Sequence, residues 1–152
     1  MTIIAIARAI HILSGVVWAG FAVVLATLVF PKLAPDGRSA LGLYMGQYGS
    51  RVAGAAAGLT FLSGLYLMWR LHWGERSAMG ATLGIGALLA ILAGISGAAI
   101  SSRAAAQLAK LTPGPDAAGK AAALRDRMIL GARISAALLV LSIICMAIAR
   151  YV

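Results

Sequence analysis

The stretch AIHILSGVVWAGFAVVLATLVFP (residues 9–31) decides the fold, because it is apolar almost throughout and ends at a proline. At 1.5 Å per residue, a helix of about 20 residues crosses a hydrocarbon core of roughly 30 Å. Three further runs have the same character, and the four predicted spans cover about 9–30, 52–69, 79–100 and 128–149. The sequence therefore predicts an all-α fold, an integral membrane four-helix bundle.

The composition of the whole chain supports this prediction. Of its 152 residues, 62% are hydrophobic and 11% are charged, whereas a soluble domain is about half apolar and a quarter charged. The net charge of +9 comes from basic residues near the ends of the apolar runs. Their expected partners are anionic lipid head groups in the bilayer. No recognition motif for nucleic acid is present, so we expect no nucleic-acid partner.

The connections between the spans show no domain boundary, and residues 1–152 are predicted to form a single transmembrane domain. On both sides of the turn at 112–116, alanine, leucine and paired charges favour helix. Helices 3 and 4 are therefore predicted to extend beyond the membrane.

Basic residues near the spans predict the orientation of the chain. Nine of the thirteen belong to the first and third connections and four to the termini and the second connection. This asymmetry predicts that loops 31–50 and 101–127 are cytoplasmic and that both termini lie outside.

Small residues recur at helical spacing in two spans. Gly54 and Gly58, and likewise Gly80 and Gly84, form ridges that allow helix backbones to approach closely. We expect these ridges to pack within the bundle rather than to form a dedicated dimer seam. For the protein as a whole we expect a homo-oligomer or a place in a larger membrane complex.

One titratable ring lies inside a predicted span. Arg8, His11, Gly15 and Trp18 follow each other at three- and four-residue steps, so they share one stripe of the first helix. The glycine one turn from His11 is expected to leave a hollow beside the imidazole for a flat cofactor or a partner helix. Intramembrane ionisable residues are functional candidates by default. These four are the candidate cofactor-binding residues, with His11 as a heme b ligand and Arg8 paired to a propionate.

The same end of the bundle collects both histidines of the chain and several methionines. The candidate copper ligands are His11, His72, Met68 and Met146. Imidazole combined with thioether suits a soft copper ion. A purely structural interpretation also stands, in which His11 hydrogen-bonds a neighbouring backbone carbonyl or serine.

The acidic residues exclude several classes of enzyme. All four, Asp36, Glu75, Asp116 and Asp126, lie outside the predicted spans. No span therefore carries a carboxylate for a proton relay, and no Ser/His/Asp set can be assembled. No phosphate-binding loop and no Cys/His zinc spacing is present. The leading prediction is non-enzymatic.

Three stretches carry a resemblance to known proteins. HILSGVVWAGFAVVLATLVFPKL (11–33), RVAGAAAGLTFLSGLYLMW (51–69) and MAIARYV (146–152) resemble small bacterial four-helix membrane proteins related to the copper resistance protein D domain. The His-x(6)-Trp-x-Gly pattern also resembles the start of the HemJ family. These resemblances imply a bacterial inner-membrane bundle that handles copper or binds heme through His11. The third span lacks the lysine and histidine of HemJ, which argues against protoporphyrinogen oxidation.

We therefore predict an inner-membrane protein with a copper-handling or ligand-binding role at the His11 end. The alternatives are a b-type heme redox protein and an accessory subunit of a larger membrane complex with no site of its own.

Overall fold

The computed structural model describes residues 2–32, 48–74, 77–112 and 114–152, and every regular element in these ranges is helical. The four long helices are α1 (Thr2–Lys32), α2 (Ser50–Leu71), α3 (Ala78–Ala109) and α4 (Ala117–Tyr151). All four are long and apolar enough to cross a membrane. The predicted all-α four-helix bundle is confirmed, and the chain is a multi-pass membrane protein.

Each helix is longer than the apolar run that predicted it. The first begins at Thr2 rather than near residue 9, whereas α3 continues to Ala109 and α4 begins at Ala117, which are the extensions that the sequence predicted. Hydropathy marks only the part of a helix that lies in lipid, whereas alanine and leucine continue the helix in water. With 32 and 35 residues, α3 and α4 are roughly 48 and 52 Å long, which exceeds a core of roughly 30 Å.

The helices pack in the order α2, α1, α4, α3, with α1 against both α2 and α4, and α3 against α4. Their shared core is built mainly from small side chains around one large ring. Its buried members are Trp18, Ala19, Ala56, Ala90, Ala93 and Leu139. Alanines let the backbones come close, which is how helices associate where lipid is as apolar as the side chains.

Serine hydroxyls join α3 to α4, and we call this contact the serine seam. Ser135 donates to the Ala93 carbonyl at 2.9 Å, and Ser142 donates to the Gly86 carbonyl at 2.7 Å. Ser101 closes the far end by donating to the Met128 carbonyl at 3.1 Å.

The closest approach in the serine seam occurs at Gly131. A Cβ atom placed there would lie 2.8 Å from the backbone nitrogen of Ser101 and 2.9 Å from Cβ of Ile100. The partner segment, Gly97–Ser102, is a π-helical turn. A second π-helical turn, Leu25–Val29, places Ala26 against Ala132 and Ala136 of α4.

The extension of α4 also contacts the end of α1. Arg125 donates from Nη2 to the Pro31 carbonyl at 2.8 Å. Carbonyls in the last turn of a helix have no partner within the helix, so this bond completes the end of α1. Together with the contacts of Ala26, it holds α1 beside α4 along the half of the bundle remote from His11.

The glycine ridges do not pack as expected. A Cβ atom at Gly54, Gly58 or Gly84 would meet nothing within 4 Å, and Gly80 alone of the four is buried. The prediction that both ridges pack within the bundle is therefore wrong for three of these positions. Among the described glycines, those whose Cβ position would meet another helix include Gly15, Gly64, Gly86, Gly94, Gly97 and Gly131.

Candidate functional site

The predicted stripe of α1 faces α2 through its central residues. Ser14 and Trp18 are buried, whereas His11 and Gly15 are partly buried and Arg8 is exposed. We define the His11 site as His11 and Ser14 of α1 with Thr60, Ser63 and Gly64 of α2.

The backbone of α2 fixes the orientation of the His11 ring. Nδ1 lies 2.9 Å from the Thr60 carbonyl oxygen and 3.4 Å from the Ser63 hydroxyl. A carbonyl only accepts hydrogen bonds, so Nδ1 carries the proton and donates it to Thr60. In the neutral ring, Nε2 then holds the free lone pair. The described residues offer Nε2 no donor, and this atom is not enclosed.

Gly64 makes this position of the ring possible. A Cβ atom at Gly64 would lie 2.8 Å from Cε1 and 3.1 Å from Nδ1 of His11. Any other residue would push the imidazole away from the Thr60 carbonyl. The His11 ring therefore packs directly against Gly64, which lies one turn along α2 from Thr60, the acceptor of its hydrogen bond.

The hydroxyls of Ser14 and Thr60 form a further polar contact between α1 and α2. Ser14 donates to the Ile10 carbonyl at 2.6 Å, and the Thr60 hydroxyl donates to Ser14 at 2.9 Å, with the Ala56 carbonyl also in reach at 2.8 Å. Gly15 leaves no hollow, because the methyl group of Thr60 would lie 3.7 Å from its Cβ position. Of the two occupants expected beside Gly15, a flat cofactor or a partner helix, the helix α2 fills the space.

Trp18 belongs to the core of the bundle. It is 7% exposed, and its ring centroid lies 5.4 Å from that of Phe61 at an interplanar angle of 59°. Both rings also reach the Cβ position of Gly94 on α3, at 3.7 and 3.8 Å. The contacts of Trp18 are thus with α2 and α3.

The other three candidate copper ligands, Met68, His72 and Met146, lie in different parts of the bundle. Met68 follows Gly64 by one turn on α2 and is 36% exposed. His72 ends α2, where its backbone nitrogen donates to the Met68 carbonyl at 3.0 Å. Met146 packs in the serine seam, with its Cγ 3.4 Å from the Cβ position of Gly86. Across the described ranges, no group of three or more His, Cys, Asp or Glu residues could hold a metal ion.

Sequence reasoning missed the half of the site that α2 supplies. Ser63 and Gly64 lie three and four residues after Thr60, which places both on the same face of the helix as Thr60. That spacing was the available signal. The structural interpretation of His11 named the correct kinds of partner, since a backbone carbonyl and a serine hydroxyl both contact the ring.

Comparison with known proteins adds no assignment to this geometry. No protein-family model matches the chain, and no curated protein or solved structure matches it.

Proposed function

We propose that this protein handles copper in the bacterial inner membrane and binds the ion through Nε2 of His11. One observation carries the proposal: the Thr60 carbonyl occupies Nδ1 and leaves the lone pair on Nε2. A metal-bound histidine commonly has this arrangement, in which one nitrogen is held by a carbonyl and the other binds the metal.

Met68 supports copper as the metal. It lies one turn beyond the glycine on which the imidazole rests and is not enclosed by the bundle. A thioether and an imidazole together suit soft copper(I). His72 and Met146 are the further candidate ligands of this proposal.

A b-type heme is the second candidate. The polar atoms around His11 in the described residues are hydroxyl and carbonyl oxygens, which are hard ligands that do not select copper. A heme needs only one imidazole nitrogen from this chain, and Nε2 of His11 would supply it. Arg8 is exposed one turn from His11 and is the candidate partner of a propionate.

The charge asymmetry sets the side of the membrane in this proposal. With the basic connections in the cytoplasm, both termini and the His11 end lie on the outer side. Residues 33–47 of the first connection lie outside the described residues. We also propose that the protein forms a homo-oligomer or is an accessory subunit of a larger membrane complex.

Metal analysis and an optical spectrum of one detergent-purified sample test the proposal. We expect near-stoichiometric copper after loading with copper(I), loss of the ion in His11→Ala, and weaker retention in Met68→Leu. Met128→Leu is the matched control, because Met128 is buried near the other end of the bundle.

The spectrum before and after dithionite separates the candidates. A Soret band that shifts on reduction, disappears in His11→Ala and persists in Met68→Leu would replace copper by heme. If His11→Ala retains the wild-type ligand content, the His11 site has a structural role alone. Co-purification of a partner that is indifferent to His11→Ala would then favour the accessory subunit.

A further inference from the structure

A second candidate binding site lies on the opposite half of the bundle, in an open groove between α1 and α4. The groove has a volume of about 450 Å³. Its main lining residues are Val23, Ala26, Arg133, Ala137, Val140 and Leu141. No residue of the His11 site contributes to it, so this inference is independent of the proposed function.

The groove is apolar along its length and cationic at one end. From Arg133 to Leu141 it follows eight residues of α4, or roughly 12 Å, which is less than one leaflet of a core of roughly 30 Å. Thr27, the other polar lining residue, already donates its hydroxyl proton to the Val23 carbonyl at 2.7 Å. Among the described lining residues, Arg133 is therefore the only side chain that can still donate a hydrogen bond to an occupant.

Arg133 has no counter-ion among the described residues. Its side chain is exposed, although it lies inside the apolar run that begins near residue 128. An arginine at this depth extends its guanidinium toward the lipid phosphates. The planar guanidinium binds a phosphate through two parallel hydrogen bonds.

Charge and shape together select the occupant. We propose that the groove binds an anionic phospholipid, with its phosphate on Arg133 and one acyl chain along Ala137, Val140 and Leu141. The basic excess on the connections at this end of the bundle attracts the same class of lipid. A zwitterionic lipid of the same chain length fits the walls but gains less from the cationic end.

Native mass spectrometry of the full chain in detergent tests the proposal. The probes are dioleoyl phosphatidylglycerol and dioleoyl phosphatidylcholine, which differ in head group and share their chains. We expect the wild type to retain at least one phosphatidylglycerol about tenfold more strongly than phosphatidylcholine. Arg133→Gln is expected to remove this preference.

Two further variants locate the site. Arg51→Gln is the matched control, because Arg51 is an exposed arginine of α2 at the same end of the bundle and lies outside the groove; we expect the preference to survive. Ala137→Phe fills the groove at an exposed position and is expected to weaken phosphatidylglycerol retention without removing a charge. Equal retention of the two lipids by the wild type would overturn the proposal. So would a loss in Arg51→Gln as large as in Arg133→Gln, or no effect of Ala137→Phe.

Discussion

The serine seam and the His11 site join helices by the same kind of bond but leave different atoms behind. In the serine seam, each of Ser101, Ser135 and Ser142 donates its one proton to a carbonyl of the neighbouring helix. In the His11 site, an imidazole donates one proton to the Thr60 carbonyl and keeps a second nitrogen. In the serine seam, every one of these hydroxyl protons is used within the chain. In the His11 site, the lone pair of Nε2 remains able to accept a hydrogen bond or to bind a ligand.

This difference separates a packing contact from a candidate binding site. A polar atom without a partner costs free energy inside a membrane, because no water is there to replace the partner. Small residues and hydroxyls suffice to hold two helices together, as the serine seam demonstrates. The histidine therefore adds a capacity that α1–α2 packing does not require, and that capacity resides in Nε2.

The largest expected effect concerns the serine seam at Gly131. In Gly131→Ala the new Cβ atom would lie 2.8 Å from the backbone nitrogen of Ser101, so α3 and α4 must move apart. We expect the free energy of unfolding to fall by about 1–3 kcal/mol, the usual cost of overpacking. Reversible unfolding in mixed dodecyl maltoside and sodium dodecyl sulfate micelles, followed by far-ultraviolet circular dichroism, measures it.

Gly119→Ala is the matched control on the same helix. A Cβ atom at Gly119 would meet nothing within 4 Å, and alanine favours helix over glycine by roughly 0.5–1 kcal/mol. We therefore expect Gly119→Ala to be neutral or stabilising. If Gly131→Ala proves equally harmless, the close approach of α3 and α4 at Ser101 is wrong.

At Gly64 we expect a smaller effect on stability, together with a change in which nitrogen of the His11 ring is protonated. Gly64→Ala places a Cβ atom 2.8 Å from Cε1 of His11. The ring is at the end of a side chain and can turn away, so the cost is about one hydrogen bond, roughly 1 kcal/mol. Selective ¹⁵N labelling of the two histidines reports which imidazole nitrogen is protonated, and His72→Gln assigns the signals.

Wild-type His11 is expected to carry its proton on Nδ1, and Gly64→Ala is expected to lose that fixed tautomer together with ligand binding. Gly58→Ala, at an open position of the same helix, keeps both. A wild-type ring with its proton on Nε2 would contradict the geometry from which the proposed function starts.

The sequence predicted which residues of one helix share a face but not which neighbour that face meets. Periodicity placed His11, Gly15 and Trp18 on one stripe, and these residues do face α2. The partners Thr60 and Gly64 lie about fifty residues away along the chain. Their pairing depends on the order in which the helices pack, which hydropathy does not encode.

The glycines also show that a sequence pattern does not identify which face of a helix is packed. The spacing of Gly54 and Gly58 is typical of helix packing, yet both face open space. Gly64 and Gly131 have no second glycine four residues away, yet a Cβ atom at either would make a 2.8 Å contact. A small residue permits contact from whichever side the neighbouring helix comes, so spacing alone does not identify the packed face.

The smallest expected effect compares two equivalent hydrogen bonds of the serine seam. Ser135 and Ser142 lie seven residues apart, roughly 10 Å along α4, and each donates to a carbonyl of α3. Hydrogen bonds between membrane helices contribute on average about 0.6 kcal/mol. Because the two do not touch, the costs of Ser135→Ala and Ser142→Ala are expected to add in the double variant.

Ser102→Ala, an exposed position on α3, is the control and is expected to leave the free energy of unfolding unchanged. Copper or heme retention should not change in Ser135→Ala, because Ser135 bonds to Ala93, away from both the His11 site and Met146. A loss of ligand in Ser135→Ala at unchanged stability would instead couple the two contacts and end the distinction between them.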